Sequence, residues 1–573
     1  MTDQYRSLVD EYAWHIPRDF NLAHACCFQW EDLPSHSKSV AIEIVGPDGY
    51  AQTLTFQGLA QLANKLALGL DRMGARVGDR VGIIMRERTE ALALLMACWH
   101  RQCIAVPLPS TEHGDILTQR IRQARCRLVF IDDSEPDKVL GALQRCQRVQ
   151  QIVGLDVRAD NVMDWHGLLS RQLHRISSEP TRPQQPALLV WPNRADDIYP
   201  PQTAYLLAHQ SLIGNLPGFV CTNNWFPDNA TGMLTTHAMM SESGLLGTIL
   251  PSLYFGVGVR VQATLPHDPE ILESSHFELS HLNTNVGLLC HWLKHTEPSE
   301  PFAFTGVGIL GEHLSEHWRE RAKERLGVEI NLCSFISGCG LLWGDSQVMW
   351  PASSHHSGRV FPGHQITQAP EPETDEPEIH LANCDAIYAH RTDPAGDTDP
   401  AMYVGVWPLK EPADILEPIE IATRHPVGLF GKLEKSGDIQ LIGWKEDALQ
   451  VNGRCTHPLV IEQAVMAMPE ISMAAAIQPQ TKEDPQTIES RELWLILELD
   501  GSLNFAQAVR QNLATQILEQ IAPLIETQPI QIGVISRISI DNQGHPRRDL
   551  LRLRHGLSGV QLLPIGEDDD ADS

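Results

Sequence analysis

Apolar residues recur along the first 130 positions in alternating helical and strand-like patterns. Between residues 55 and 73 four leucines are spaced at helical intervals and Gly74 follows as a stop, which predicts a helix with one buried face. Apolar runs and further helical stretches then alternate, over residues 81–85, 89–99, 104–108, 116–124 and 127–131. Strands that are apolar throughout and alternate with helices favour a parallel sheet covered on both faces.

Farther along the chain, the pattern predicts further strands and helices of the same kind and then a second α/β unit. Strand-like runs are expected at 188–191, 302–305 and 328–332, with a helix over 311–326. Between 367 and 400 Pro, Asp, Glu and Thr dominate, which predicts a long acidic surface loop. After residue 445 a smaller α/β unit is predicted from helices at 459–468 and 505–524 and strands at 493–499 and 530–538. The acidic residues 566–573 predict a disordered tail.

Composition narrows the class of protein. The chain has 573 residues, of which 42% are hydrophobic and 20% charged, so it can form several globular cores. A formal charge of -28 argues against nucleic acid or an anionic membrane as the main partner. Only ten of the 44 basic residues are lysines, with none between Lys138 and Lys294 and none after Lys482.

The cysteines and the amino terminus indicate a cytoplasmic protein. The twelve cysteines form no CxxC pair and no tandem metal-ligand spacing, as expected of a reduced chain. Residues 1–19 are acidic and lack the apolar segment of a secretory signal. No run approaches the ~20 apolar residues that a membrane span needs, so no span is expected.

Two short motifs could carry chemistry. The string Gly306-Val-Gly-Ile-Leu-Gly311 fits the GxGxxG dinucleotide fingerprint, but that fingerprint belongs in a first βα unit, so glycines at a tight strand-to-helix turn are the preferred interpretation. The string His313-Leu-Ser-Glu-His317 fits the HxxEH zinc-peptidase motif, but it lacks a well-placed third ligand. A solvated helix face is preferred there, and no metal site is predicted. The chain contains neither a GxSxG elbow nor a Walker A loop.

Several strings, in order, are shared with one family. They are Phe20-Asn-Leu-Ala-His-Ala-Cys-Cys, Leu54-Thr-Phe, Gly78-Asp-Arg-Val-Gly-Ile-Ile, Ile104-Ala-Val-Pro-Leu, Leu250-Pro-Ser-Leu-Tyr-Phe-Gly256 and Tyr403-Val-Gly-Val-Trp407. From about residue 20 to 554 the chain resembles acyl-CoA synthetases of the adenylate-forming (AMP-binding) superfamily, particularly the acetyl and medium-chain branch.

The resemblance implies an α/β fold, with a large N-terminal body of doubly wound sheets plus a distorted barrel and a small mobile α/β C-terminal domain. We accordingly predict an N-terminal body over 1–442, a hinge over 443–447, a C-terminal domain over 448–558 and an acidic tail over 559–573. The family uses ATP and magnesium to convert a carboxylic acid into an acyl-adenylate, and then transfers the acyl group to CoA. A fatty or organic acid, CoA and acyl-CoA are therefore the implied ligands.

The chain departs from the family at the residues that carry this chemistry. The stretch that replaces the phosphate loop, residues 191–203, has neither glycine nor lysine, although backbone N–H groups and a cation must approach the phosphates there. The adenine loop aligns with Gly306-Val-Gly308, where the turn is retained and the carboxylate is absent, and Gly338 stands at the magnesium glutamate. Leu429 stands at the ribose aspartate, Trp444 at the hinge arginine and His545 at the C-terminal lysine.

By family position, the candidate cofactor-binding residues are Arg194, Gly306, Gly308, Ser337 and Gly453, and the candidate catalytic residue is His545. These changes predict a degenerate synthetase without efficient adenylation. It would bind an acyl group or CoA, or it would associate with an active paralogue or with a second copy of its own chain. The alternative is an active, divergent ligase that uses Arg194 for the phosphates and His545 in place of the lysine. Its magnesium ligand would be Glu312, Glu316 or another carboxylate. A third possibility is an interaction protein whose acidic loop, 371–399, and tail bind a basic partner.

Overall fold

A computed structural model gives the fold. It describes residues 3–46, 49–169, 180–191, 204–263, 265, 275–295, 301–311, 313–350, 356–369, 385–390, 399–403, 405–407, 424–444, 447–452, 454–478, 492–501, 503–510, 512–539, 546–552 and 559–564.

The described strands, in chain order, are β1 (Val40–Val45), β2 (Ala51–Thr55), β3 (Arg80–Ile84), β4 (Ile104–Pro107), β5 (Leu128–Asp132), β6 (Gln151–Leu155), β7 (Val162–Asp164), β8 (Pro186–Val190), β9 (Ala204–Ala208), β10 (Met233–Thr235), β11 (Val259–Gln262), β12 (His281–Asn285), β13 (Gly306–Leu310), β14 (Asn331–Ile336), β15 (Gly340–Gly344), β16 (Arg359–Val360), β17 (Ile366–Ala369), β18 (Asp385–His390), β19 (Gly405–Trp407), β20 (Arg424–Leu433), β21 (Ile439–Trp444), β22 (Leu449–Val451), β23 (Arg454–Thr456), β24 (Ile471–Ile477), β25 (Leu493–Leu499), β26 (Ile530–Ile535) and β27 (Gln561–Leu562).

The described α-helices are α1 (Tyr5–Glu11), α2 (Leu22–Cys26), α3 (Phe56–Arg72), α4 (Thr89–His100), α5 (Gly114–Ala124), α6 (Pro136–Leu143), α7 (Trp165–Leu169), α8 (Ser211–Thr222), α9 (Glu242–Gly244), α10 (Leu250–Tyr254), α11 (Val286–His295), α12 (Glu316–Leu326), α13 (Pro458–Met466), α14 (Phe505–Arg510), α15 (Leu513–Ile525) and α16 (Arg548–Arg552). A 3₁₀ turn covers Phe28–Trp30, and a π-helical turn covers Leu245–Ile249.

Two large sheets form the N-terminal body. The first has eight strands in the order β19-β9-β8-β4-β3-β5-β6-β7, and its strands from β8 to β7 are parallel. The second has nine strands in the order β16-β15-β14-β13-β12-β10-β11-β1-β2, with a parallel centre from β14 to β1. The predicted parallel architecture is confirmed.

One hydrophobic core joins the two sheets. Helix α3 begins after Thr55, whose Oγ1 accepts the Gly58 N–H at 3.0 Å, and it buries one apolar stripe, as its leucine spacing predicts. Helix α4 is almost entirely apolar and is buried on all sides between strands of both sheets. Because α4 contacts both sheets, their relative position is fixed by packing.

The predicted acidic loop is only partly a loop. Strands β17 and β18 lie inside it and pair with β20 and β21 in a four-stranded antiparallel sheet. The loop prediction is wrong at 385–390, because four consecutive residues of β18 are buried although the flanking sequence is acidic. Asp399 is also buried, where its carboxylate lies 2.6 Å from Nδ1 of His364.

A separate C-terminal domain has its own core. Strands β24 to β27 form a mixed sheet that packs against α13 and α15. The predicted strand at 493–499 is confirmed, whereas the helix predicted at 505–524 is divided into α14 and α15, with Asn512 in the left-handed region. At the predicted tail, Gln561–Leu562 pair with β26, and residues 565–573 lie outside the described part.

Gln463 docks this domain on the N-terminal body. Its Oε1 accepts the backbone N–H of Ser315 at 2.7 Å, and its Nε2 donates to the carbonyl of His313 at 2.9 Å. Lys294, at the end of α11, donates to the carbonyl of Met468 at 2.9 Å. The described part of the chain contains no helix long and apolar enough to cross a bilayer, and ten of its cysteines, from Cys26 to Cys339, are buried free thiols.

Candidate functional site

A cavity of about 310 Å³ lies where the carboxyl ends of strands from the first sheet face a segment of the second. Strand β3 is followed there by Met85–Glu87, β4 by Pro107–Glu112, and β8 by Trp191. The second sheet contributes residues 238–242, which follow β10. Ligands of open α/β sheets bind at the carboxyl ends of the strands, so topology alone makes this cavity the first candidate site.

Glu242 is the polar side chain buried deepest in this cavity, with 4% of its surface exposed. It begins the short helix α9, whose N-cap Ser241 accepts the Gly244 N–H at 3.0 Å. Its carboxyl group accepts hydrogen bonds from the Ser337 hydroxyl and the Gly338 N–H, each at 2.8 Å. Burial raises the pKa of Glu242 to about 7, while these two hydrogen bonds oppose the shift.

The partner of Glu242 is a tight turn between β14 and β15. Gly338 has a φ of +77°, and a Cβ placed there would lie 2.9 Å from the ring of Tyr205. Glycine is therefore required by both the backbone and the neighbouring ring. The turn brings Ser337 and Gly338 up to the carboxyl group of Glu242.

Glu87 brings a second carboxyl group to the cavity from the other sheet. Its Oε1 accepts the Met239 N–H at 2.6 Å, and burial raises the pKa of Glu87. Two carboxyl groups from separate sheets therefore border one cavity, in surroundings where the neutral form of each is favoured.

The arginines beside the cavity are engaged in ion pairs. Arg86 lies 2.8 Å from the carboxylate of Asp133, and Arg120 lies 3.1 Å from that of Glu112. The guanidinium of Arg120 also lies over the ring of Trp191, 5.3 Å from its centroid. Trp191 is fixed in turn, because its Nε1 donates to Gln123 at 2.9 Å.

The chain is similar to enzymes of one family. A family model described as AMP-binding enzyme matches residues 32–191. The acetyl-coenzyme A synthetase of Methanothrix thermoacetophila is 27% identical over 201 residues, which are 31% of this chain and 29% of that enzyme. The acetyl-coenzyme A synthetase of Streptomyces coelicolor is 21% identical over 584 residues, which are 94% of this chain and 84% of that enzyme.

Solved structures show the same fold. The structure of the anthranilate CoA ligase AuaEII in complex with anthranoyl-AMP matches with a TM-score of 0.76 at 14% identity, over 95% of this chain and 98% of that one. A benzoate CoA ligase from Burkholderia xenovorans LB400 matches with a TM-score of 0.73 at 14% identity, over 93% of this chain and 100% of that one.

The chain therefore resembles adenylate-forming acyl-CoA synthetases: the family model matches residues 32–191, and the fold is shared over almost the whole chain. Of the residues predicted from this family, Ser337 lies beside the cavity, as a hydrogen-bond donor to Glu242. Arg194, Gly453 and His545 lie outside the described residues, as does the stretch 192–203 that replaces the phosphate loop. That stretch begins after Trp191, which lines the cavity.

Gly306 and Gly308 do not form the predicted strand-to-helix turn. Both lie within β13, which is buried along its whole length and occupies the place of the strand predicted at 302–305. A Cβ on Gly306 would lie 2.6 Å from the ring of His281, and one on Gly308 would lie 2.6 Å from Oδ1 of Asn283. These glycines therefore allow close packing of β12 against β13, and the dinucleotide interpretation is wrong.

The strand-to-helix turn of the synthetase-like fold lies five residues later, at 311–315. Gly311 follows β13 directly with a φ of +158°, and the next residue in the sequence is Glu312. Glu312 itself lies outside the described residues.

The HxxEH motif does not form a metal site. Helix α12 starts at Glu316, so His313 precedes the helix and cannot lie one helical turn from His317 on the same face. The carbonyl of His313 is used to bind Gln463. Among the described residues no three His, Cys, Asp or Glu side chains cluster as a metal would require.

The described residues at the positions predicted for the family's magnesium and ribose ligands do not fit those groups. Gly338, at the position predicted for the magnesium glutamate, has no side chain to offer a metal ion, and its N–H and the Ser337 hydroxyl both donate to Glu242. Leu429 is 1% exposed and belongs to the hydrophobic core, where it cannot accept a hydrogen bond from a ribose hydroxyl.

Sequence analysis missed Glu87 and Glu242. Glu242 is an isolated carboxylate in the apolar segment 233–253, and Glu87 follows a buried parallel strand directly. A carboxylate within an apolar segment, or shortly after a buried strand, can indicate a functional site. Comparison with the family's motifs does not detect these two residues, because neither lies in one of those motifs.

Proposed function

We propose that this chain is a synthetase-like binding protein that does not form acyl-adenylates efficiently and holds a small acid or acyl compound in the cavity between its two sheets. The observation that carries the proposal is the turn after β14, where Gly338, at the position predicted for the family's magnesium glutamate, offers only its N–H, which donates to the buried Glu242. The apolar Leu429 and the glycine-free stretch 191–203 support the same conclusion.

Carboxylate-dependent exchange of pyrophosphate into ATP tests the loss of adenylation. We expect exchange no faster than a blank without protein, across a panel of small and medium-chain acids with magnesium present. Exchange well above the blank with any of these acids would overturn the proposal. Calorimetric titrations with ATP, AMP and CoA, each alone, then show which part of the family's ligand set is still bound.

An active, divergent ligase is the second candidate. It is favoured by the Gly311-Glu312 pair, which restores a glycine and a carboxylate to the turn after β13. This candidate predicts that millimolar ATP with magnesium raises the melting temperature and that His545→Ala lowers the exchange rate. A flat melting temperature over the same ATP range would count against it.

A further inference from the structure

The cations that border the cavity are already neutralised by neighbours. Arg86 pairs with Asp133, and Arg120 pairs with Glu112 while lying against the face of Trp191. Neither arginine therefore brings an uncompensated positive charge to the cavity. An anionic group of a ligand would have to compete with an existing carboxylate for either of them.

The opposite holds for two carboxyl groups of the cavity, the buried one of Glu242 and the half-buried one of Glu87. Within the described part of the chain, Glu87 and Glu242 accept hydrogen bonds only from neutral donors, which are Met239, Ser337 and Gly338. No lysine, arginine or histidine described in the structure lies within ion-pair distance of either carboxyl group. Burying a carboxylate without a counter-charge is costly, so this cavity has an acidic wall that a ligand can neutralise.

The remaining walls combine apolar side chains with the polar Ser110, Thr111 and Ser241, and they limit the size of the ligand. Met85, Val190, Trp191 and Met240 line them, together with two prolines. A volume of about 310 Å³ is at the small end of ligand pockets. The methionines give the wall some adaptability. A ligand that fits has a short aliphatic or single-ring body and one end rich in hydrogen-bond donors.

We propose that the cavity selects small acids or acyl compounds that carry an ammonium or guanidinium group, which Glu87 and Glu242 bind. This inference rests on the proposed function, because it names the ligand class of the same cavity. The cationic group supplies the counter-charge that the described residues lack, through charge-assisted hydrogen bonds. A simple fatty or aromatic acid of the same size leaves both carboxyl groups uncompensated.

Matched ligand pairs test this selectivity on the full chain without nucleotide. Calorimetry would compare 4-(aminomethyl)benzoate with 4-methylbenzoate, and 6-aminohexanoate with hexanoate. Within each pair the body and the carboxylate are similar, and only one member carries an ammonium group. We expect the amine of at least one pair to bind about tenfold or more tightly than its partner. Equal affinities within both pairs, or no binding of either amine, would overturn the inference.

Charge-neutral variants test whether Glu87 and Glu242 cause the preference for the amine. Glu87→Gln and Glu242→Gln preserve side-chain length and an acceptor oxygen, and each is expected to reduce the preference for the amine several-fold, with little preference left in the double variant. Glu90→Gln is the matched control, because Glu90 pairs with Arg88 and does not line the cavity. A preference unchanged in the double variant would place amine binding elsewhere and refute the assignment.

Three further outcomes distinguish a failure of the ligand class from a failure of the proposed function. Displacement of the amine by millimolar magnesium chloride alone would indicate a divalent-cation site and contradict the ligand class. Equal binding of both members of a pair, with no exchange activity, would leave the proposed binding function standing while refuting the ligand class. Exchange activity with an amine-bearing acid would refute the proposed loss of adenylation while supporting the ligand class.

Discussion

Glu242 combines complete burial with two hydrogen bonds from neutral donors, and this combination has a consequence for stability. Its pKa is raised to about 7 in the folded protein, against 4.5 for an unperturbed glutamate. Between those two values the folded chain keeps a proton that the unfolded chain releases. The free energy of unfolding contributed by this residue therefore falls as pH rises from about 4.5 to about 7.

Glu242→Gln should remove this fall of the free energy of unfolding with rising pH. We expect the melting temperature of the variant, relative to the parent, to be higher at pH 8 than at pH 4.5, as measured by calorimetry at both values. Glu11→Gln, on the exposed face of α1, is the control and should show no such difference. A variant that is destabilised equally at both pH values would contradict the assignment of a largely neutral carboxyl group.

Gly338 is a second residue whose identity is dictated locally. Alanine there would adopt a left-handed backbone, at about 1–2 kcal/mol, and would press its Cβ against Tyr205, which stacks on Tyr403 with ring centroids 4.9 Å apart. With about 1–3 kcal/mol for overpacking, Gly338→Ala should lose about 2–5 kcal/mol in urea unfolding.

Gly78→Ala is a control that separates backbone strain from overpacking in the stability lost by Gly338→Ala. Gly78 has nearly the same φ, +79°, but a Cβ added there would meet nothing within 4 Å. The control should therefore lose only the backbone part, about 1–2 kcal/mol. Equal losses in both variants would mean that Tyr205 moves aside without cost and that the turn is held less tightly than its geometry indicates.

At the scale of elements, Arg548 connects the last described helix to the hinge region. Its guanidinium is buried and binds both carboxylate oxygens of Glu462, at 2.9 and 2.7 Å, and the carboxylate of Asp447 at 3.0 Å. Helix α16 begins three residues after His545. The network therefore fixes the segment that follows His545 relative to α13 and to the start of the C-terminal domain.

Removing this guanidinium should destabilise the C-terminal domain. Arg548→Ala removes the guanidinium that binds both oxygens of the buried Glu462 and takes one of two arginine partners from Asp447, and breaking a buried ion pair typically costs about 3–5 kcal/mol. Arg552→Ala is the milder control, since Arg552 adds an ion pair to Asp447 at 3.1 Å but is not needed by Glu462. Hydrogen exchange should show faster exchange in β24 and β25 for Arg548→Ala than for Arg552→Ala. Similar protection in both variants would contradict the role of Arg548.

The elements that sequence predicted well are those in which one simple pattern dominates. Helix α3 follows its leucine spacing, and β25 is a continuous apolar run. Strand β13 was misplaced because glycine is a poor strand former, and the contact that demands it, with His281 and Asn283 of the neighbouring strand, is formed only in the folded sheet. Strand β18 was missed because its apolar residues are few and lie within an acidic segment.

At the scale of the whole molecule, the candidate site exists only where two sheets meet. Glu87 and Glu242 are 155 positions apart in sequence and belong to different sheets, so no local pattern relates them. Family resemblance predicted the sheets, but a residue outside the family's motifs, such as Glu87 or Glu242, gives no signal until the fold brings it to a cavity. The chemistry of this site therefore depends on tertiary packing more than on motif residues.

The same packing buries neutral histidines in all three sheets of the N-terminal body. The pKa of His209 is lowered to about 3, and those of His237, His281 and His425 to about 4, because burial disfavours the charged imidazole. An unfolded histidine takes up a proton near pH 6.5, while these folded ones remain neutral until about pH 4. The free energy of unfolding contributed by each therefore falls as pH decreases from about 6.5 towards 4.

Because of these histidines, the free energy of unfolding should fall in acid, and replacing one buried histidine should make this fall smaller. Well below pH 6.5, each buried histidine should add about 1.4 kcal/mol per pH unit to the slope of unfolding free energy against pH. His209→Gln retains an acceptor for the Leu22 N–H, which His209 Nδ1 accepts at 3.1 Å, and should lower that slope between pH 6 and 5. His24→Gln, exposed on α2, should leave it unchanged. Equal slopes in the parent and His209→Gln, measured by urea unfolding at each pH, would show that His209 is already protonated in the folded state.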